Sequence, residues 1–124
     1  MLKLKKVHQD ERGEVYILEG DLREHKEITI LLTKQGFSRG GCIHRINNEF
    51  DVILEGNIRY FIGEESILVK KGNSVKIPVN IPHYFISLTD SIVIEWGCDP
   101  KEKIEKYSPF RNIVNNINKN NKNE

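Results

Sequence analysis

The sequence predicts an all-β fold, a sandwich or closed barrel, followed by a short C-terminal α-helix. Eight short runs rich in Val, Ile, Phe and Tyr recur at intervals of roughly ten residues, separated by Gly, Asn, Asp or charged pairs. No helical periodicity lies between them, which argues against parallel βαβ units. A helical pattern stands only after Trp96.

In order, the runs are "EVYILEG", "EITILLTK", "FDVILEG", "IRYFIGEE", "SILVKKG", "SVKIPV", "HYFISL" and "SIVIEWG". "LEGN" and "KKGN" place glycines where hairpins and bulges need a positive φ. After Trp96, Asp99 can cap a helix, with Pro100 in its first turn and Glu102 three residues after the cap. A second start signal, Ser108 with Pro109, precedes Phe110, Ile113, Val114 and Ile117, spaced as one apolar helical face for docking on a sheet or a partner. The expected organisation is a β-barrel domain over residues 1–107, a helix over 108–118 and a disordered tail over 119–124, where "KNNKNE" has no apolar surface to bury.

At 124 residues the chain is long enough for one hydrophobic core. A formal charge of +1 gives no general pull toward nucleic acid or an anionic membrane. The opening "MLKLKKVHQDERG" has no uninterrupted apolar stretch and no long apolar span follows, so a cytoplasmic location is expected. Two cysteines, Cys42 and Cys98, are too few for a disulfide framework and fit a reducing compartment.

The chemistry concentrates in "GFSRGGCIHRINNEFDVILEG". Residues two apart on a strand share a face, so Cys42 and His44 project together, and Glu49 can join them from the start of the next strand. His83 comes from a later strand pair, which a closed barrel or sandwich would bring alongside. The spacing runs Gly36, five residues, Cys42, one, His44, four, Glu49, six, Gly56; then Gly72, five, Pro78, one, Asn80, two, His83, three, Ser87. This resembles the two motifs of the cupin superfamily, G-x5-H-x-H-x3or4-E-x6-G and G-x5-P-x-G-x2-H-x3-N. The resemblance implies a double-stranded β-helix, the jelly-roll barrel, with one divalent metal (zinc, iron, nickel or manganese) on Cys42, His44, Glu49 and His83. Cys42 stands where the family has its first histidine. A thiolate, two imidazoles and a carboxylate suit zinc or ferrous iron; the alternative is that Cys42 is a small buried hydrophobe, His44 and His83 make pocket hydrogen bonds and no metal binds. Asn80 stands where the family has glycine, and asparagine tolerates left-handed backbone.

A narrower resemblance adds a substrate class. "QDERG" and the stretch Arg39, Gly40, Gly41, Cys42, Ile43, His44 are similar to segments of the cupins acting on nucleotide-linked sugars, the dTDP-4-keto-6-deoxyhexose epimerases and 3,4-ketoisomerases. It implies an enzyme moving a proton beside a ketone, with His44 as acid/base and Arg39 gripping a diphosphate; Cys42 could serve in proton transfer if a neighbour lowered its pKa. Tyr60 and His83 are expected as further substrate contacts. Tyr60, Tyr84 and Phe85 can line the cavity or, as strand aromatics more commonly do, form core. His8 and His25 lie in polar segments with no special role expected, and Asp10 with Arg12 reads as a surface turn. The alternative function is a metal-binding cupin of another class, a dioxygenase-type enzyme or a non-catalytic small-molecule binder. The expected partners are a small molecule and a second copy of the chain, through "EVYILEG" and the C-terminal helix.

Overall fold

A computed structural model describes residues 3–19, 27–98, 102 and 104–122. His25, Asp99 and Pro100 lie outside the described residues. Among those described, the chain forms β1 (Lys3–Asp10), β2 (Gly13–Glu19), β3 (Thr29–Thr33), β4 (Ser38–Ile43), β5 (Glu49–Glu55), β6 (Asn57–Ile62), β7 (Glu65–Lys70), β8 (Ser74–Ile77), β9 (His83–Ser87), β10 (Ser91–Trp96), β11 (Glu105–Lys106) and α1 (Ser108–Lys122). Each of the eight predicted runs is a strand. The three further strands lack β composition: half of β1 is charged, β4 carries two glycines and β11 is two residues long. Pairing with a neighbour, not local propensity, makes them strands.

Two antiparallel sheets face each other, one ordered β1-β2-β3-β10-β5-β8 and the other β11-β4-β9-β6-β7. Buried positions alternate along β5, β6 and β10, and Leu31, Ile53, Ile58, Tyr60, Val69, Ile77, Phe85 and Val93 form the core between the sheets. This is the all-β jelly-roll barrel with a C-terminal helix. None of the described helices is long and apolar enough to cross a membrane.

The C-terminal region departs from expectation in two ways. Glu102, expected in a helix cap, is not helical; its carboxylate accepts from the Ile46 and Asn47 amides at 2.8 and 3.1 Å, and β11 follows, pairing with Cys42 and Ile43. The helix also runs on to Lys122 in place of the tail expected from residue 119, because its polar residues dock. Asn118 accepts from the Ser38 amide at 2.8 Å and donates to the Ser38 carbonyl at 2.9 Å, filling the open edge of β4 as a strand would, and Asn121 donates to the Gly36 carbonyl. Val114 is buried against the barrel and Phe110 packs edge-on to Tyr84, whereas Ile113 is exposed. Composition could not reveal that asparagines would serve as edge-strand mimics.

β2, expected to contribute to contact with a second copy of the chain, is paired on both sides, and β1 takes the outer position with Leu4 and Val7 exposed.

Candidate functional site

The site is built at one end of the barrel, where β4 and β10 finish and β5 and β9 begin. Its first device is a bulge. The register of β4 against β9 shifts between Gly40 and Cys42, so Arg39 opposes Phe85 while Cys42 opposes His83. The extra residue reverses the alternation, and Arg39 and Cys42, three apart, both face inward. Glycine is required here: Gly40 and Gly41 have φ of 112° and 87°, and a Cβ would lie 2.8 Å from Tyr84 Cα at the first and 2.7 Å from Arg111 Cα at the second. The loop before His83 turns at Asn80, whose φ of 66° is the left-handed conformation expected, with its amide donating to the His44 carbonyl at 2.8 Å.

These devices bring Cys42, His44, Glu49 and His83 together, all buried. His44 Nε2 lies 3.0 Å from Glu49 Oε1, His83 Nε2 lies 3.7 Å from the same oxygen, and Cys42 Sγ is 3.8 Å from His83 Nε2. The two imidazoles stack with centroids 5.4 Å apart. Donors around a tetrahedral zinc are separated by about 3.3–3.7 Å, from bonds of about 2.0–2.3 Å. Cys42, His44 and His83 bring one donor atom each within 4.8 Å of one another, close enough for a single ion, and Glu49, whose Oε2 is buried without a hydrogen-bond partner, stands against both imidazoles.

Arg39 is buried and reaches Thr33 Oγ1 through Nε at 2.8 Å and the Leu32 carbonyl through Nη2 at 3.2 Å. Burial and the nearby Arg12 draw its pKa down to about 10. Tyr60 departs from its expected role as a substrate contact: it is fully buried beneath the site and donates to Asp51 Oδ2 at 2.6 Å. Its ring is large and apolar enough to be drawn into the core. Of the other aromatics, Phe85 lines the pocket, while Tyr84 stacks on Phe61 on the outer face. Asp10 and Arg12 form the expected turn, joined side chain to side chain at 2.6 Å, and His8 bonds Asp10 at 2.9 Å.

Sequence reasoning did not single out Asp51, Glu95, Cys98 or Glu102. Glu49, Asp51 and Glu95 bring carboxylate oxygens within 4.8 Å of one another. Burial, then mutual repulsion, raises all three pKa values well above the carboxylate range. The signal was present: Asp51 follows Glu49 by two on β5, and Glu95 follows Ser91 and Val93 in the inward series of β10. Cys98 Sγ lies 3.4 Å from His44 Nδ1, placed by the turn at Gly97, whose φ is 110°. A hydrogen bond with Cys42 raises the His44 pKa against the effect of burial, whereas burial and then the charge of His44 lower His83 to about 4. A pocket of about 250 Å³ opens over these groups, lined also by Glu27, Trp96 and Ile104.

An antiparallel double-stranded β-helix with histidine, cysteine and carboxylate donors converging at its mouth defines a class of protein. The chain has the cupin fold. Neither a protein-family model nor a curated protein matches the sequence. Among solved structures, it is similar to oxalate decarboxylase from Lactobacillus farciminis in a formate complex, with TM-score 0.70 and 19% identity over 86% of this chain and 34% of that one. It is also similar to the capsular polysaccharide assembling protein CapF of Staphylococcus aureus, with TM-score 0.68 and 21% identity over 84% of this chain and 32% of that one. A conserved protein of unknown function from Streptococcus pyogenes gives TM-score 0.59 and 21% identity over 70% of this chain and 74% of that one. The chain thus spans about a third of the decarboxylase and of CapF.

Proposed function

We propose that the protein is a metal-binding cupin, holding a divalent ion, zinc or ferrous iron, on Cys42, His44, Glu49 and His83 and receiving a small molecule beside it. The observation that carries this reading is that Cys42, His44 and His83 bring one donor atom each within 4.8 Å of one another, with a Glu49 oxygen 3.0 and 3.7 Å from the two imidazoles. When bound, such an ion polarises a ligand oxygen as a Lewis acid. Arg39, fixed by Thr33 and Leu32, directs its remaining N–H groups at a polar ligand, and the apolar surfaces of Trp96 and Ile104 limit water at the rim. A volume of about 250 Å³ is below the roughly 300–1,000 Å³ typical for drug-sized ligands. It favours a small substrate over one that must bury a nucleotide.

A second reading, isomerisation or epimerisation of a nucleotide-linked keto-sugar, is favoured by the 3.0 Å contact between His44 and Glu49. Here His44 takes a proton from the carbon beside the carbonyl to leave an enediolate. In isomerisation the proton returns to the former carbonyl carbon as a hydroxyl proton passes between the two oxygens; in epimerisation the same carbon is reprotonated on its opposite face. Glu49 holds the imidazole, and the nucleotide lies outside the pocket. The likeness to CapF, named for capsular polysaccharide assembly, supports this alternative. The expected homodimer is supported by the exposed edge strand β1; a monomer by sedimentation at micromolar concentration would refute it.

Metal analysis of untagged protein tests the two readings. Bound divalent metal is expected, with affinity reduced at least tenfold by Cys42→Ala and by His83→Ala but retained by Cys42→His, because imidazole replaces thiolate as a ligand. Metal-free protein that is stabilised by nucleoside diphosphates, and that loses keto-sugar turnover with His44→Ala, would overturn the first reading in favour of the second.

A further inference from the structure

Glu49 and Cys98 both stand against the His44 ring. Nε2 faces Glu49 Oε1 at 3.0 Å, within the donor set of the proposed ion. Cys98 Sγ lies nearer the other nitrogen, 3.4 Å from Nδ1 against 3.9 Å from Nε2. A Glu102 oxygen completes this outer group, in which one donor atom each from His44, Cys98 and Glu102 all lie within 4.8 Å of one another. The two groups share His44 alone.

Each outer donor is held in place before any ligand arrives. Glu102 Oε1 accepts from the Ile46 and Asn47 amides, and Oε2 accepts from Asn47 Nδ2 at 3.3 Å. An ionised carboxylate has about four acceptor positions, so Oε2 retains one. Cys98 is positioned by Gly97, where a Cβ would approach the Asn48 carbonyl oxygen to 2.4 Å, and its own carbonyl accepts from the Glu27 amide at 3.1 Å. All three residues line the pocket, so an ion can reach them from solvent. A thiol, an imidazole and a carboxylate suit zinc, and three protein donors leave a fourth position open for water or substrate, as in catalytic rather than structural sites.

We propose that the barrel mouth holds a second divalent cation, zinc or a similarly thiophilic ion, on His44 Nδ1, Cys98 Sγ and a Glu102 carboxylate oxygen. With both seats filled, the His44 imidazole bridges this ion to the one on Cys42, Glu49 and His83. Loading the outer seat releases the Cys98 thiol proton and the His44 Nδ1 proton to solvent. The bridge rests on the metal-binding reading above; the outer donor set does not.

The test counts ions. Untagged protein is stripped with a chelator, titrated with zinc by calorimetry, desalted and assayed for bound zinc, with melting temperatures of the stripped variants as the control for folding. Wild type is expected to retain two equivalents and Cys98→Ser and Glu102→Gln one each, and both variants loaded with cobalt to lose the part of the thiolate-to-metal absorption that Cys98 contributes. One equivalent in wild type, unchanged by Cys98→Ser and Glu102→Gln but lost with Cys42→Ala, overturns the outer seat and leaves the inner one standing. One equivalent lost with Cys98→Ser and kept by Cys42→Ala and His83→Ala supports the outer seat and overturns the inner reading. No retained zinc overturns both.

Discussion

The floor and the mouth of the barrel are made by the same strands and both bury polar groups, yet they treat them in opposite ways. At the floor, the Ser87 and Ser91 hydroxyls lie 2.7 Å apart, Ser91 also reaches the Thr33 carbonyl, and Thr33 Oγ1 accepts from Arg39. Small hydroxyls there satisfy one another and close the core. At the mouth, Glu49 Oε2 and Asp51 Oδ1 are buried with no hydrogen-bond partner, beside Glu95 and two imidazoles. Unsatisfied buried polar atoms are costly, and a stable fold keeps them where a proton or a cation completes them. The difference separates polar groups satisfied within the fold from polar groups the fold leaves unpaired.

The largest expected effect tests the apolar layer between the two ends. Ile53, fully buried on the same strand as Glu49 and Asp51, should cost about 2–5 kcal/mol when changed to alanine, read from urea unfolding. Glu95→Gln, at the mouth, should show no comparable loss at neutral or alkaline pH. Equal losses would mean that the mouth contributes to stability as the core does, and the contrast would fail.

The next effect is a pH dependence of the metal-free protein. Glu49, Asp51 and Glu95 have folded-state pKa values raised above 4.5, 3.8 and 4.5. Their contribution is present below those ordinary values and is lost as pH rises through the folded ones. His83 works in the opposite sense: lowered from 6.5 to about 4, it contributes fully above pH 6.5, and that contribution is lost as pH falls toward 4. Glu95→Gln should therefore raise the melting temperature relative to wild type at pH 8 and flatten the alkaline decline. A wild-type melting temperature that stays level on the alkaline side, with no gain from Glu95→Gln, would show that the carboxylates carry no such strain.

The smallest effect belongs to the floor. Ser87→Ala leaves the Ser91 hydroxyl without its 2.7 Å partner and should cost about 0.5–1.5 kcal/mol at every pH and metal concentration. A change in zinc affinity with this variant would sharpen the comparison by showing that the two ends communicate.

Much of this was legible in the chain. Alternation along "EFDVILEG" and "SIVIEWG" places Glu49, Asp51 and Ile53, or Val93 and Glu95, on one face because successive side chains of a strand point oppositely, a local rule that needs no tertiary contact. The spacing of Cys42, His44, Glu49 and His83 indicated their meeting in the same way. The rest depended on partners. The bulge at Gly40 and Gly41 turns Arg39 and Cys42 to the same side only because β9 pairs across it, Tyr60 was drawn into the core by the volume available there, and Cys98 and Glu102 reach His44 after the Gly97 turn and the amides of Ile46 and Asn47 hold them. Strand period is a property of the backbone and can be read from one segment; bulges, edges and loop-borne donors are settled by which distant backbone groups find each other, which a single sequence does not specify.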